Sequence, residues 1–325
     1  MSLPTFSAST TAEEVADTFA AQIRGKNVLI TGTSLNGLGF EAARVIAKYA
    51  NLVIITGYNS ERLKLSEEAL KKEMTPGANI RPLVLDLASL ASVRKAAAEV
   101  NAYPEPLHVL VHNAAHGGGD FTLTPDGFEI QMATGQFGPF LFTKLLAPKL
   151  LASASADFTP RVVFVSSDAH LFGTGVDFEN LVHPTPEKHQ NMATYMQVKS
   201  ANVMFAGELS RRSGGKIKGY SLHPGTIFTN IMQKEANKKD LAGFGILNAD
   251  GTPNTDSQFP FKTIPQGAAT TVVAAFDTRI EDHPGSYLAD CVLAADKAAP
   301  HSVDPENTKK LWDLTEQIVG EKFTF

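Results

Sequence analysis

A phenol and an ammonium group four residues apart could work together as an acid–base pair. Tyr195 and Lys199 lie in the segment 193–212, where apolar residues recur at helical spacing and predict a helix. Residues four apart share one face of a helix, so the two side chains should be neighbours. Because a nearby positive charge favours a phenolate, we expect Lys199 to lower the pKa of Tyr195. The pair predicts a general acid or base, although the same spacing also arises by chance on amphipathic helices.

The composition argues against several classes of protein. The 325 residues include 29 Lys and Arg and 34 Asp and Glu, a balance that speaks against a nucleic-acid partner. Cys291 is the single cysteine, which excludes an intramolecular disulfide and fits a reducing compartment. The first residues lack the pattern of a signal peptide, and no run of about 18 apolar residues occurs. We therefore expect a cytoplasmic protein without a membrane span.

Short apolar segments alternate with amphipathic segments along the chain. The clearest apolar segments are residues 28–31, 52–56, 80–85, 109–111, 162–166 and 219–222. Such alternation is typical of a parallel sheet with helices on both faces. The sequence therefore predicts a Rossmann-type, doubly wound α/β fold of about seven strands, with residues 1–325 forming a single domain. A leading helix is expected at about 11–24, where Thr11 and Glu14 resemble a capping box, and a loop that covers the substrate at about 226–262.

A glycine-rich turn separates the first predicted strand from a helix expected over residues 40–49. Gly32, Gly37 and Gly39 would let a pyrophosphate approach the backbone, and the helix N-terminus would supply N–H donors. Polar residues end four later strands, namely Asp86, Asn113, Ser166 with Ser167, and His223. Ligands of doubly wound folds bind at the carboxyl ends of the strands. These residues should therefore line one crevice.

Six motifs follow one another along the chain. They are the glycine turn, LDL from Leu85, NAA from Asn113, VSSDAH from Val165, YMQVKSAN from Tyr195 and HPGTIFT from His223. In this order they resemble the short-chain dehydrogenases/reductases, and in particular the retinol-dehydrogenase-like branch common among fungal oxidoreductases. QGAATTV from Gln266 and GSYLADC from Gly285 resemble the same branch. The resemblance covers nearly the whole chain and implies an NAD(P)(H)-dependent alcohol dehydrogenase or ketoreductase.

The resemblance implies a role for each of three catalytic residues. Tyr195 would be the acid–base, and Lys199 would hold the nicotinamide ribose and lower the pKa of Tyr195. Ser167, which aligns with the second serine of the family's paired motif, would polarise the substrate oxygen. Side chains alternate along a strand, so Ser166 would face away and only pack. During reduction, Ser167 and Tyr195 would stabilise negative charge on the carbonyl oxygen before Tyr195 delivers a proton.

The resemblance also implies contacts with the cofactor along the crevice. Phosphate contacts are expected from the glycine turn, at Gly32, Ser34, Asn36, Gly37, Leu38 and Gly39. The other expected contacts are Asp86 and Leu87 at the adenine, Asn113, Ala114 and Ala115 along the adenosine, and Pro224, Gly225, Ile227 and Thr229 near the nicotinamide. Asp86 could instead cap the following helix.

Three departures from the family pattern leave an alternative open. The glycine turn is one residue longer between its first two glycines, and NAA replaces the common NAG. Gly135 stands where the family carries an asparagine whose backbone holds a water that links the lysine to solvent. Glycine keeps the carbonyl but loosens the helix, by up to about 1 kcal/mol relative to alanine. The alternative is a non-redox protein on this scaffold, such as a cyclase or a cofactor-binding regulator.

The choice of cofactor and substrate rests on fewer residues. No carboxylate ends the second strand, and Tyr58, Arg62 and Lys64 follow it, which favours NADP over NAD unless the two basic residues are only a solvated helix face. Five phenylalanines fall in segments that should cover the cleft and predict a small lipophilic or aromatic carbonyl or alcohol as substrate: Phe172, Phe228, Phe244, Phe259 and Phe261. We expect no metal, because His108, His112 and His116 are spaced for a helix but fall on a strand and a loop. The sequence leaves a homodimer open.

Overall fold

The apolar segments of the sequence form the strands of one central sheet. The structure, a computed structural model, describes residues 3–74 and 79–325. Its strands are β1 (Asn27–Ile30), β2 (Leu52–Gly57), β3 (Ile80–Val84), β4 (Val109–His112), β5 (Arg161–Val165), β6 (Lys218–His223), β7 (Thr226–Ile227), β8 (Phe261–Lys262), β9 (Tyr287–Ala289) and β10 (Val292–Leu293). Eight of them pair in the order β10-β9-β6-β5-β4-β1-β2-β3, and β7 pairs separately with β8. Within the large sheet only the β9–β10 pair is antiparallel, so the predicted doubly wound parallel fold is confirmed, with β10 as an added edge strand.

Helices cover both faces of the sheet. They are α1 (Ala12–Thr18), α2 (Ala20–Ile23), α3 (Leu38–Ala47), α4 (Ser60–Glu73), α5 (Leu90–Ala102), α6 (Ile130–Met132), α7 (Gly138–Leu151), α8 (Phe178–Val182), α9 (Asn191–Arg212), α10 (Glu235–Gly243), α11 (Ile264–Phe276), α12 (Pro300–Val303) and α13 (Pro305–Val319). Over residues 3–74 and 79–325, every helix is too short or too polar to cross a bilayer.

Alternation along the strands divides the core into two layers. Val28 and Ile30 of β1 pack on the face covered by α1, α3 and α11, whereas Leu29 packs on the face covered by α5, α7, α9 and α13. Successive side chains of a strand point to opposite faces, and here both faces are apolar. A helix therefore shields each face, and the carboxyl ends of the strands remain the accessible edge.

The two ends of the predicted architecture differ in detail from the structure. The capping box is confirmed, since the Thr11 hydroxyl accepts from the Glu14 N–H and the Glu14 carboxylate accepts from the Thr11 N–H, but a break divides the leading helix into α1 and α2. The segment 226–262 is not a continuous loop, because it contains the nine-residue helix α10 and the β7–β8 pair. The Leu241 side chain on one side of α10 is buried. Packing of this side therefore stabilises the helix, despite the glycine and asparagine content of the segment.

A buried arginine joins β5 to the end of α11. Arg161 is 1% exposed, and its guanidinium donates to the backbone oxygens of Ala274 at 3.1 Å and Asp277 at 2.9 Å. Glu281 accepts a third bond at 3.1 Å. The last carbonyl groups of a helix have no partner within the helix, so Arg161 satisfies two groups that would otherwise be buried without one.

We expect Arg161→Leu to lower the free energy of unfolding by roughly 2 to 4 kcal/mol, because it leaves both carbonyl groups unpartnered. Chemical denaturation measures the change. Lys64→Leu is the matched control. Lys64 is exposed on α4, and its ion pair with Glu68 is long at 3.8 Å and exposed to solvent. This substitution should change the free energy of unfolding by less than about 0.5 kcal/mol. Equal effects of the two substitutions would contradict the role given to Arg161.

Candidate active site

The glycine turn after β1 is built so closely against the end of β4 that side chains do not fit. A Cβ atom at Gly32, which has a φ of +71°, would lie 2.7 Å from the Cα of Ala114, and one at Gly39 would overlap the Asn113 amide. The Asn113 Nδ2 group donates to the oxygens of Thr31 at 3.0 Å and Gly32 at 2.9 Å. Asn113 thus braces the turn, a role that the motif alone does not reveal.

The turn fits the phosphates of a dinucleotide. Helix α3 begins directly after Gly37, which has no side chain to occupy the N–H groups of the first helical turn. Ser34 and Asn36 are exposed on the turn. The Leu38 and Ile227 side chains both pack against Gly267 of α11. Leu38 can therefore contact a phosphate only through its backbone N–H group. The chain also closes over the turn, since the Asn230 amide donates to the Leu35 oxygen at 3.2 Å.

The predicted adenine side of the crevice lies at the ends of β2 and β3. Tyr58 is 68% exposed, and Arg62 is exposed in the first turn of α4. The alternative reading of Asp86 as a helix cap is wrong, because Ser89 caps α5 by accepting from the Ser92 N–H. The Asp86 carboxylate instead accepts from the Ala88 N–H at 3.0 Å.

The other predicted cofactor residues lie along the same edge of the sheet. Leu87 is buried, and Ala114 and Ala115 are half-buried after β4. Beyond β6, Pro224 and Ile227 are buried, whereas Gly225 and Thr229 are partly exposed. A Cβ atom at Gly225, whose φ is +102°, would lie 2.6 Å from the Lys262 side chain. The end of the segment 226–262, which was expected to cover the substrate, therefore packs directly on the turn that follows β6.

The two serines after β5 point in different directions. Ser166 is buried, and its hydroxyl donates to the Lys199 oxygen at 2.7 Å. Ser167 is half-buried, and its hydroxyl accepts from the Ala169 N–H at 3.1 Å and contacts the Tyr195 phenol. Ser166 therefore packs against α9, and Ser167 is the serine that lies beside Tyr195.

Lys199 lies on the same face of α9 as Tyr195. Its Nζ atom is 5.4 Å from the centroid of the Tyr195 ring and donates to the Val165 oxygen at 2.8 Å. The structure thus brings the Ser167, Tyr195 and Lys199 side chains together at the carboxyl end of β5. A phenol, a hydroxyl and an ammonium at one point can polarise an oxygen and exchange a proton with it.

The pKa of Tyr195 is raised in the protein by itself, whereas the sequence predicted that Lys199 would lower it. Burial raises the pKa of Tyr195, and the contact with the Ser167 hydroxyl only partly opposes this rise. Burial also lowers the pKa of Lys199 to about 8. Both groups lose hydration in the same pocket, so each is shifted toward its neutral form. Spacing on a helix predicted the proximity of the pair but not their loss of solvent.

Gly135 occupies a π-helical turn, Ala133–Phe137, immediately before α7. A Cβ atom there would overlap Cγ1 of Val198, so the valine fills the space beside the glycine. The Gly135 oxygen accepts from Nδ2 of Asn202 at 2.8 Å. Val198 of α9 therefore leaves no space for a side chain at 135, and Asn202 satisfies the carbonyl group at 135.

A cluster of side-chain amides, not foreseen from the sequence, holds α10 against the loop after β4. Asn191, at the start of α9, accepts from the Gly119 N–H at 2.9 Å and donates to the Asn237 oxygen at 3.2 Å. Asn237 in turn donates to the Gly117 oxygen at 2.6 Å. The cluster lies one helical turn from Tyr195. It connects residues distant in sequence, so no local pattern could have indicated it.

Two of the three regularly spaced histidines, His108 and His112, are buried, and the third lies in a loop. His108 accepts from the Asn27 N–H through Nδ1, at 3.0 Å. His112 stacks on Phe164, and burial lowers its pKa to about 3. His116 is half-buried in the loop after β4. Among the described residues, no group of three or more His, Cys, Asp or Glu side chains is arranged to hold a metal ion.

We expect Gly135→Asn to lower the free energy of unfolding by about 1 to 3 kcal/mol, because the new side chain competes with Val198 for one space. Val198→Ala should recover part of this loss when the two substitutions are combined. A double-mutant cycle by chemical denaturation measures the coupling between them. Additivity within about 0.5 kcal/mol would show that the two positions do not compete.

Comparison with known proteins agrees with this geometry. Residues 26–177 match the family model for the short chain dehydrogenases. The chain is 34% identical over 322 residues to the short-chain dehydrogenase TIC 32 A of Brassica napus, with 97% of this chain and 94% of that protein covered. It is 36% identical over 304 residues to the short-chain dehydrogenase/reductase prx1 of Penicillium rubens, with 90% and 84% covered.

A solved structure shares the same architecture. An uncharacterized protein from Mycobacterium paratuberculosis superimposes with a TM-score of 0.68 at 26% identity, over 94% of this chain and 98% of that one. The resemblance to the retinol-dehydrogenase-like branch is not tested by these similarities. On the similarities and the site together, the chain belongs to the short-chain dehydrogenase/reductase family of NAD(P)-dependent oxidoreductases.

Proposed function

We propose that the protein transfers a hydride between NADP(H) and a lipophilic or aromatic carbonyl compound or alcohol, with Tyr195 as the acid–base. The observation that carries the proposal is the convergence of Ser167, Tyr195 and Lys199 at the end of β5, beside a glycine turn that fits a dinucleotide. When bound, the nicotinamide supplies the site that gives or takes the hydride. The protein's own residues supply the proton and hold the reacting oxygen.

The protonation of Tyr195 favours the direction of reduction. Because burial raises the pKa of its phenol, Tyr195 carries its proton at neutral pH and can donate to a substrate oxygen that becomes negative. The Ser167 hydroxyl can donate to the same oxygen and stabilise its charge. Lys199, with a pKa of about 8, carries most of its positive charge at neutral pH and holds it beside the phenol. Oxidation of an alcohol would require Tyr195 to give up its proton first.

Exposed aromatic residues support a lipophilic substrate. Phe172, five residues after Ser167, is 58% exposed. The centroid of its ring lies 6.1 Å from that of Phe259, which belongs to the segment 226–262. Phe244, at the end of α10, is 43% exposed. Large apolar side chains left in contact with water often mark a binding surface for an apolar partner.

The preference for NADP rests on charge at the end of β2. Residues 57–60 include no carboxylate that would accept ribose hydroxyls and repel a 2′-phosphate. Arg62 is exposed in the first turn of α4, where its guanidinium can reach a phosphate. A cytoplasmic location and a homodimer remain predictions from the sequence.

We expect the purified protein to bind NADPH more tightly than NADH and then to oxidise the bound cofactor with aromatic or aliphatic aldehydes and ketones. Cofactor fluorescence during titration measures both affinities, and loss of NADPH absorbance measures turnover. Tighter binding of NADH would contradict the preference proposed from Arg62. Binding without turnover across a broad panel would favour the non-redox alternative.

Tyr195→Phe should lower kcat by a factor on the order of 100 to 10,000, because the proton donor is removed. Cofactor affinity should stay within about twofold, since the ring is kept. Tyr49→Phe is the matched control: Tyr49 bonds Asp17 through its hydroxyl, far from the site in the α1–α3 layer, and its loss should leave turnover unchanged. Unchanged turnover in Tyr195→Phe would exclude it as the acid–base.

A further inference from the structure

The peptide group that follows Ser167 is held at both ends by imidazole rings. Its oxygen, which belongs to Ser167, lies 2.6 Å from Nδ1 of His170. Its N–H group, which belongs to Asp168, donates to Nδ1 of His223 at 3.1 Å. The two rings come from different parts of the chain, one from the turn after β5 and one from the end of β6. Rotation of this peptide, which would also alter the surroundings of the Ser167 hydroxyl, must break both bonds.

The hydrogen-bond partners determine where each ring carries its proton. The Ala299 N–H can only donate, and it donates to Nε2 of His170 at 3.2 Å, so the proton of His170 is on Nδ1 and points to the Ser167 oxygen. The Asp168 N–H can also only donate, so Nδ1 of His223 carries no proton. The proton of His223 is therefore on Nε2, which lies 3.5 Å from the Asp168 carboxylate. Both rings are neutral, in opposite tautomers.

The surroundings keep both rings neutral near neutral pH. His170 is fully buried, and burial lowers its pKa. The Ser167 oxygen and the Asp168 carboxylate act to raise this pKa, whereas a positive charge on the neighbouring His301 ring would lower it further. Burial likewise lowers the pKa of His223. The charged groups that face His223 are Asp168 and Asp290, which favour its protonation, and Lys262, which opposes it. The neutral His170 ring also faces His223, and it would oppose protonation of His223 if it became charged itself.

The Asp168 carboxylate is itself held in place. It accepts from the Tyr287 hydroxyl of β9 at 2.6 Å. The His301 ring donates through Nε2 to the His170 oxygen at 3.1 Å, which ties the turn after β5 to α12. The polar groups around the turn thus form one connected network that reaches β6, β9 and α12. Ser167 Oγ, which accepts from the Ala169 N–H, belongs to the same turn.

We infer that His170 and His223 are positioning residues, which aim the Ser167 hydroxyl at the substrate oxygen by holding the Ser167–Asp168 peptide between two neutral imidazole rings. The inference rests on the function proposed for Ser167. An imidazolium ion has no free lone pair, so protonation of His223 removes its bond to the Asp168 N–H, and protonation of His170 removes its bond to the Ala299 N–H. The arrangement is complete above the ordinary histidine pKa of about 6.5 and is lost as the pH falls through the lowered values in the folded protein.

The first test needs no turnover and uses the wild-type protein. Long-range ¹H–¹⁵N correlation spectra distinguish the two histidine tautomers, and at pH 7 we expect His170 with its proton on Nδ1 and His223 with its proton on Nε2. Either ring in the opposite tautomer, or as an imidazolium at pH 7, would overturn the inference. Because this readout is independent of substrate, it separates failure of the inference from failure of the proposed enzyme activity.

The second test replaces one ring by amides of different length. The side-chain oxygen of asparagine can take the place of Nδ1, whereas that of glutamine reaches toward the position of Nε2. We therefore expect His223→Gln and His223→Phe to lower kcat by roughly tenfold to a hundredfold with cofactor affinity unchanged, and His223→Asn to retain kcat within about threefold. The asparagine variant should also lose the part of the acidic decline in activity that His223 causes.

The exposed His283 provides the matched control, and His283→Asn should change neither kcat nor its pH profile. Equal losses in the asparagine and glutamine variants, with the pH profile of the wild-type protein, would mean that His223 only fills space. A loss confined to cofactor affinity would likewise reject the positioning of Ser167.

Discussion

The candidate site depends on how one residue attaches α9 to the end of β5. Lys199 is 4% exposed, its backbone oxygen accepts from the Ser166 hydroxyl, and its ammonium donates to the Val165 oxygen. Because the two bonds join α9 to the end of β5 at two points, they fix both the position of the helix along its axis and its rotation about that axis. Tyr195, one turn earlier, is thereby placed beside Ser167. Burying an ammonium group costs free energy unless the group is hydrogen-bonded. The bond to the Val165 oxygen offsets part of this cost and thereby holds Lys199 in place.

The same loss of water governs the chemistry of the pocket. Burial shifts Tyr195, His170 and His223 toward their neutral forms. It lowers the pKa of Lys199 to about 8, so this lysine keeps most of its charge at neutral pH. Neutral groups with defined donors and acceptors can form a directed network, whereas charged groups in the same space would repel one another or require counterions. Burial of these side chains therefore determines their protonation states before any ligand binds.

Much of the fold could be predicted from the sequence because its causes are local. Apolar strands separated by amphipathic helices indicated the parallel sheet, and the glycines after β1 indicated a turn that approaches a ligand closely. The helix α10 was missed, since it depends on the burial of Leu241 and on the bond from Asn237 to the distant Gly117 rather than on its own composition. The tautomers of His170 and His223 were equally out of reach, because their partners lie on other elements.

The replacement at Gly135 shows how a departure from a motif can leave the surrounding geometry intact. Val198 occupies the space of a side chain at 135, and Asn202 satisfies the carbonyl that remains. Both residues belong to α9, the helix that also carries Tyr195 and Lys199. Helix α9 therefore holds the π-turn before α7 by packing and by one hydrogen bond, without an asparagine at 135. What the site loses is one side chain, while the relative positions of its proposed acid, its lysine and its serine are maintained by bonds that do not involve residue 135.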